Sequence, residues 1–345
     1  MAEEIERAVA ALHDHVTHGE FSGVIRVSAG TSMFWEHASG YANRADRVPN
    51  RIDTRFGIAS LTKSFTAAAI CRLVDQGHAT FDARVIDLLP AAKRPSTLSE
   101  EVTLHHLLTH TSGIADYYDE VALGPEAFEL VWAEHPSYRF REPIDFLPLF
   151  ADLPPRRAPG GTEGSYCSAG YILLGLIVEE LSDRSYSSYV ETEIVAAAGM
   201  ADSGFFAMDE VRERVAIGYV GSDDEGWRTN HYAIPIVGGP DGGALSTVRD
   251  LEVFLRALAT GVFFGAQTWA AMRRPHVHME GLSYGYGLWM KETQRGWTVG
   301  GAGADPGFSA RAFRYPDLDL NVTMLGNTIY ETDEPMRIFR AEIKG

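Results

Sequence analysis

The chain has 345 residues, of which 45% are hydrophobic and 22% are charged, and these fractions are typical of a folded globular protein. It carries 47 acidic and 30 basic side chains, which gives a formal net charge of −17. An acidic excess of this size argues against a protein that binds nucleic acid or an anionic membrane, because both need a basic face. Two cysteines, Cys71 and Cys167, cannot make a disulfide framework and suggest a reducing compartment.

The start of the chain and its apolar runs bear on location. Residues 1–6 lack the basic start and apolar core of a secretory signal. No apolar run approaches the roughly 20 residues that a membrane-spanning helix needs. We therefore expect a cytoplasmic protein that does not insert into membranes.

The N-terminal quarter of the chain is predicted to form a helix, then short strands, then a longer helix. Apolar residues first recur at helical spacing, and turns rich in Gly and Ser then separate short β-type runs. These elements are a helix at 4–16, strands near 24–27, 33–35 and 38–42, and an apolar helix from Ser60 to about Gln76.

The middle of the chain is predicted to be mostly helical, and strands return near its end. Between residues 80 and 225 the pattern is helical, with proline-rich breaks at 136–160. The later elements are an apolar helix at 169–182, a loop at 238–243, a helix at 247–260, strands at 297–299, 308–315 and 320–325, and a final helix at 334–343.

Strands at both ends with helices between them predict an α+β fold. Its antiparallel sheet would be formed from both chain ends and flanked by helices, with a mostly helical domain inserted. We expect residues 1–78 and 230–345 to form the sheet domain and residues 79–229 the helical domain. The active site would lie in the cleft between them.

The strongest chemical signal is Ser60-Leu61-Thr62-Lys63 at a predicted helix start. A Ser and a Lys three residues apart share a helix face, and the N–H groups of a helix start lack intrahelical partners. Such a pair suits covalent catalysis, because the lysine can take or relay the hydroxyl proton and the helix end favours negative charge. The alternative is a capping serine followed by a solvated lysine. A lysine is unusual, however, on so apolar a segment.

Two glycine-rich segments can complete a site around this pair. Residues 159–168 place Tyr166 just before an apolar helix, where its phenol can reach a cleft wall; the alternative is a tyrosine packed under a loop. Residues 299–308 are mostly small, so a substrate can approach the backbone and its N–H groups can polarise a carbonyl. The alternative for this segment is a simple turn between strands.

Other catalytic arrangements fit the sequence less well. Ser168 lies in a segment close to a G-x-S-x-G nucleophile elbow, but Tyr166 occupies the position that needs glycine. His106 and His110 are four residues apart, but the glutamate and the third ligand of a zinc hydrolase are missing. We therefore expect neither a metal nor an organic cofactor.

In this order, the three segments resemble the motifs of the serine β-lactamase and penicillin-binding-protein superfamily. They are most similar to its class C β-lactamase-like branch, which also contains esterases and D-aminopeptidases. Further similar stretches at 107–113, 242–247 and 284–288 extend the resemblance over roughly residues 20–330.

The resemblance implies the β-lactamase/transpeptidase-like fold and a role for each motif residue. Ser60 would be the nucleophile, Lys63 the base or proton relay, and Tyr166 the proton carrier. The backbone N–H groups of Ser60 and Ala304 would bind the oxyanion. The positions implied to bind substrate are Ser168, Gly301, Ala302 and Gly303.

Two positions depart from the family's motifs. Ser168 stands where the second motif has asparagine, a side chain expected to hold the lysine and a substrate amide. Gly301 stands where the third motif has lysine or histidine, which helps to seat the carboxylate of β-lactams or peptides. These departures favour neutral esters, or amides that lack this carboxylate.

The sequence thus predicts a serine hydrolase that acts through an acyl-enzyme on a small ester or amide. One alternative is a β-lactamase, a D-Ala-type carboxypeptidase or a D-aminopeptidase. The other is a catalytically weak, penicillin-binding-like scaffold that binds ligands. The expected partner is a small-molecule ester, amide or β-lactam, with no nucleic acid and no membrane.

Overall fold

One large antiparallel sheet organises the fold. The computed structural model describes residues 2–19, 21–30, 32–118 and 127–343. The strands β1 to β14 are Gly23–Ala29, Ser32–Ser39, Tyr41–Asn43, Val48–Pro49, Phe56–Gly57, Tyr219–Ser222, Gly226–Thr229, Leu245–Ser246, Val277–Met279, Leu282–Tyr284, Trp289–Thr293, Gly296–Asp305, Phe308–Tyr315 and Leu320–Gly326. Eight of them form the large sheet in the order β2-β1-β14-β13-β12-β11-β10-β9.

Helices cover both faces of this sheet. The helices α1 to α11 are Ala2–His18, Lys63–Asp75, Val85–Leu88, Leu104–Leu108, Ala127–Glu134, Pro143–Phe146, Ser168–Ser182, Tyr186–Val190, Val248–Ala259, Ala266–Met272 and Asp333–Glu342, and a π-helical turn at Glu191–Ala196 follows α8. Within the described ranges, no helix is both long enough and apolar enough to cross a bilayer.

The two chain ends meet in the sheet. Strand β1 pairs with β14 along its whole length, from Gly23 opposite Gly326 to Ala29 opposite Leu320. The predicted α+β fold, with a sheet built from both ends of the chain, is therefore confirmed. The domain boundaries at residues 79 and 230 stay a prediction.

Each face of the sheet has its own apolar core. Helix α1 buries Ile5, Ala8, Leu12 and Val16, which recur at helical spacing, and it packs with α11 on one face. On the other face α9 packs against β13 and β14, and α2 and α7 pack against each other in the same core. In α7 every residue from Ser168 to Val178 is buried, so this helix lies in the interior.

Several local predictions differ from the structure. The predicted helix start at Ser60 is a 3-10 turn, Ala59–Thr62, and the α-helix begins at Lys63. The β6–β7 hairpin begins inside the segment that was predicted to be helical, and strands β9 to β11 were not predicted. These strands are three to five residues long, too short for a clear alternating pattern.

Two glycines of α7 allow a test of how closely this helix packs against the loop at 238–243. A Cβ built on Gly175 would lie 2.1 Å from Cγ of Pro240, whereas one on Gly170 would lie 3.7 Å from Leu107. Gly175→Ala should therefore lower the free energy of unfolding by about 1–3 kcal/mol, because a rigid proline must move. Gly170→Ala should be neutral or slightly stabilising, because alanine favours a helix. Urea unfolding of both variants decides the matter, and equal effects would contradict this account.

Candidate active site

Ser60 follows a residue with a strained backbone. Ala59 is fully buried and has a φ of +48°, a left-handed conformation that alanine rarely adopts. Its carbonyl oxygen accepts hydrogen bonds from Oγ1 of Thr62 (2.8 Å) and from the N–H of Gly243 (3.2 Å). These contacts hold the turn that presents the Ser60 hydroxyl to the cleft.

Lys63 extends its amine into the interior beside Ser60. The residue is only 2% exposed. Its Nζ donates to Oγ of Ser60 over 3.1 Å and to the main-chain carbonyl oxygen of Asp241. The same Nζ lies 4.9 Å from the ring centre of Tyr166. The structure thus brings together the three side chains that the sequence proposed as catalytic.

A buried histidine supports Tyr166 from behind. The ring of His110 stacks on Tyr166 with centres 4.5 Å apart. Its Nδ1 accepts the N–H of Cys167 (3.1 Å), so the ring proton is on Nε2. Burial, together with the nearby charge of Lys63, lowers the pKa of His110 to about 3, and the ring is therefore neutral near pH 7. Sequence reasoning weighed His110 only as a metal ligand and missed its contact with the tyrosine.

Asp116 fixes the backbone directly after Tyr166. Its buried carboxylate accepts the N–H groups of Ser168 (2.6 Å) and Ala169 (3.0 Å) at the start of α7. A negative charge is favourable at a helix N-terminus. Burial nevertheless raises the pKa of Asp116 to about 6, and the two hydrogen bonds and Lys63 oppose this shift. Sequence reasoning missed Asp116, because one aspartate between apolar residues carries no motif.

Strand β12 runs directly beside the Ser60 turn. A Cβ on Gly303 would lie 2.4 Å from the carbonyl oxygen of Ile58 and 2.7 Å from the Ser60 nitrogen, so only glycine fits there. A Cβ on Gly301 would lie 2.7 Å from Cγ of Leu61. The side-chain position at 301 therefore points at packed atoms, while Ala302 and Ala304 lie on the cleft side.

The cleft edge of β12 is open next to the nucleophile. Its pairing with β11 ends where Trp289 faces Gly300, although β12 continues to Asp305. In the described part of the chain, no strand pairs with residues 301–305 on that side. A substrate can therefore lie along this edge, with its carbonyl near the Ala304 backbone.

Two pockets meet at Ser60 and Tyr166. The larger pocket has a volume of about 350 Å³ and extends over β12 towards β13 and α11. The smaller pocket, of about 60 Å³, includes Ser168 and aromatic side chains, and its lining carboxylates are Asp241 and Asp305. Burial raises the pKa of Asp241, although Tyr117 donates to its carboxylate over 2.5 Å.

Comparison with known proteins decides the family. The sequence matches the Beta-lactamase family over residues 5–344. The chain belongs to this family. A solved penicillin-binding protein from Bacillus halodurans is 39% identical, with a TM-score of 0.88 over 96% of this chain and 99% of that one. The resemblance inferred from the three motifs is confirmed.

Two curated relatives are enzymes by name. A D-aminopeptidase of Cereibacter sphaeroides is 28% identical over 88% of this chain and 56% of its own length. Esterase EstB of Burkholderia gladioli is 34% identical over 54% of this chain and 47% of its own length. The chain thus spans about half the length of these two relatives. Its family and such relatives support a serine hydrolase.

The pKa of Asp116 predicts a pH effect on stability. The pKa rises from an ordinary 3.8 to about 6, so the folded protein binds the proton more tightly than the unfolded chain does. The free energy of unfolding therefore falls by up to about 3 kcal/mol as the pH rises from about 4 to about 6 and this carboxyl group ionises. Urea unfolding at several pH values should show the parent losing this stability relative to Asp116→Asn.

A carboxylate whose pKa is lowered by folding provides the control. Hydrogen bonding to Arg214 lowers the pKa of Asp202, and Arg55 adds to this effect. The difference between the parent and Asp202→Asn should therefore change only below about pH 4, where the parent loses stability as the pH falls. A constant difference between the parent and Asp116→Asn from pH 4 to pH 7 would refute the assignment.

Proposed function

We propose that this serine hydrolase cleaves small carboxylic esters through an acyl-enzyme on Ser60. The observation that carries the proposal is the 3.1 Å contact between Oγ of Ser60 and Nζ of Lys63, in a cleft that Tyr166 also lines. A hydroxyl is a weak nucleophile until a neighbouring group can take its proton. Lys63 lies within hydrogen-bond distance of this hydroxyl, and Tyr166 lies beside Lys63 in the same cleft.

Acylation follows from this arrangement. Oγ of Ser60 attacks the ester carbonyl while its proton passes to the amine of Lys63 in its unprotonated form, and Tyr166 carries this proton onward. The tetrahedral oxyanion binds the N–H groups of Ser60 and Ala304, and such donors contribute roughly 3–4 kcal/mol each in other serine hydrolases. The carbon–oxygen bond to the leaving group then breaks, and the proton goes to the departing alkoxide.

Deacylation reverses these roles with water. A water molecule attacks the acyl carbonyl and gives one proton through Tyr166 to the unprotonated amine of Lys63. Lys63 then returns one proton to Oγ of Ser60 as the bond between the acyl carbon and this oxygen breaks. The products are the free acid and the regenerated enzyme. The stacked, neutral ring of His110 keeps Tyr166 in place through both steps without adding a second cation beside Lys63.

The shape of the cleft favours a small substrate with an apolar part. Aromatic side chains line the smaller pocket, and apolar walls with few polar groups are typical of sites for small molecules. The likeness to a named esterase supports an ester substrate, and the likeness to a D-aminopeptidase supports an amide. A binding scaffold without turnover would not need Ser60, Lys63 and Tyr166 together.

Replacing the nucleophile should abolish the reaction. We expect Ser60→Ala to lower the rate of p-nitrophenyl acetate hydrolysis at least about a hundredfold, because this change removes the hydroxyl that contacts Nζ of Lys63. The measurement is kcat/KM from the release of nitrophenol. Ser168→Ala is the matched control: it removes the hydroxyl of the rival nucleophile from the same cleft and should cost less than about tenfold. Equal rates for the parent and Ser60→Ala would exclude the mechanism.

Esters should be cleaved faster than amides of the same acyl group. An amine is a poor leaving group and needs firm protonation, and Gly301 brings no lysine or histidine to assist the proton carriers. We expect the kcat/KM for a D-alanine aryl ester to exceed that for the D-alanine anilide by more than about a thousandfold. A mass-spectrometric assay of both substrates measures the ratio. Efficient release of D-alanine from its anilide would favour the aminopeptidase alternative instead.

A further inference from the structure

A third cavity adjoins the smaller pocket. We call it the inner cavity; its volume is about 290 Å³, against about 60 Å³ for the smaller pocket. A cavity of about 150 Å³ with apolar walls can hold benzene, so the inner cavity has room for an apolar chain of about six carbons. Its walls suit such a chain, because they include the apolar side chains of Phe206, Met208, Ile217, Ile236, Leu245 and Phe308.

Two charged side chains of the inner cavity are largely exposed and pair with each other. Nη2 of Arg212 lies 2.8 Å from Oε2 of Glu210, and about half of each side chain is exposed to solvent. The same guanidinium lies 3.9 Å from the ring centre of Phe206, so it covers an apolar wall of the cavity. The pair is neutral as a whole, and the cavity therefore favours an uncharged group.

A thin wall separates the inner cavity from the smaller pocket. Five residues line both of them, namely Ile234, Pro235, Gly238, Gly243 and Asp305. The two glycines form a fixed part of this wall, because a Cβ on Gly238 would lie 2.3 Å from the carbonyl carbon of Gly243. Ile234 contributes the largest apolar side chain of the wall, and it is only 7% exposed. This side chain therefore fills space between the two cavities.

Hydrogen bonds hold the backbone on both sides of Ile234. Before it, the N–H of Ala233 donates to the carbonyl oxygen of Asn230 over 2.9 Å. After it, the carbonyl oxygen of Ile236 accepts the N–H of Met208 over 2.8 Å. Neither bond involves the side chain of Ile234. A smaller side chain at this position would therefore open the wall without releasing the segment that carries it.

The acyl part of an ester is the part that these enclosed spaces suit. It stays bonded to Ser60 after the first step, whereas the alcohol must leave before water attacks. The larger pocket is more open than the smaller pocket and the inner cavity, so the alcohol can depart through it. The smaller pocket then holds the acyl group, and a longer acyl chain would run towards Ile234.

We propose that Ile234 is a specificity-determining residue that limits the acyl chain by closing off the inner cavity. This role rests on the proposed ester hydrolysis and narrows its substrate class to esters of short-chain acids. A smaller residue at position 234 would admit chains of about six carbons. Each methylene group that moves from water into an apolar cavity strengthens binding about threefold to fourfold, so a difference of four carbons is large enough to measure.

Two esters with the same leaving group test this role. The measured quantity is the ratio of kcat/KM for p-nitrophenyl hexanoate to kcat/KM for p-nitrophenyl acetate. In the parent this ratio should be about one or lower, because Ile234 leaves no room for the four extra carbons. Ile234→Ala should raise the ratio at least about tenfold, because the longer chain then enters the inner cavity.

The same segment offers a matched control. Ile236 lines the inner cavity but not the smaller pocket, so Ile236→Ala removes the same atoms without opening the wall. The ratio should stay within about threefold of the parent in this variant, and also in Ile234→Leu, which keeps the side-chain volume. Adding Ala207→Leu to Ile234→Ala refills the cavity and should remove most of the gain. A parent ratio above about ten, or an equal rise in both alanine variants, would overturn the role of Ile234.

A binding measurement separates this role from catalysis. In Ser60→Ala protein, calorimetry with methyl hexanoate should show that adding Ile234→Ala tightens binding at least about tenfold, whereas adding Ile236→Ala does not. Unchanged binding in both double variants refutes the role of Ile234. If binding tightens but the parent cleaves neither nitrophenyl ester, the proposed hydrolysis fails and the inner cavity remains a binding site. If the parent cleaves the acetate but Ile234→Ala leaves the ratio unchanged, the hydrolysis stands and the role of Ile234 fails.

Discussion

The burial of the Lys63 amine is the constraint on which the rest of the site depends. An ammonium group in the interior costs several kcal/mol unless other groups compensate for it. Here the carbonyl oxygen of Asp241, the hydroxyl of Ser60 and the ring of Tyr166 surround it. These groups come from segments up to 178 residues apart, so the chain must bring them together before the amine can be accommodated.

The backbone around Tyr166 is fixed by side chains that never reach the cleft. His110 accepts the N–H of Cys167, and Asp116 accepts those of Ser168 and Ala169. Because Asp116 binds the N–H of residue 168 and not its side chain, the family's asparagine can be replaced by serine without releasing this segment. The substitution changes what residue 168 presents to the smaller pocket.

Local patterns in the sequence predicted the parts of the molecule that depend on short distances along the chain. Ser60 and Lys63 are three residues apart, and α1 shows its buried face in its spacing. The short strands β9 to β11 gave no such pattern. His110 and Asp116 were missed for another reason: each acts on a residue of another segment, and nothing in its own neighbourhood records that contact.

The two pockets that meet at Ser60 differ in the charged side chains that line them. Asp241 and Asp305 line the smaller pocket, and Arg311 and Arg340 line the larger one, with Ser60 between them. A carboxylate in the smaller pocket would face two acidic side chains at close range, where like charges repel strongly because little water screens them. The smaller pocket therefore disfavours a substrate group that carries a negative charge. A substrate whose reacting carbonyl lies at Ser60 would therefore place an uncharged part among the aromatic side chains of the smaller pocket.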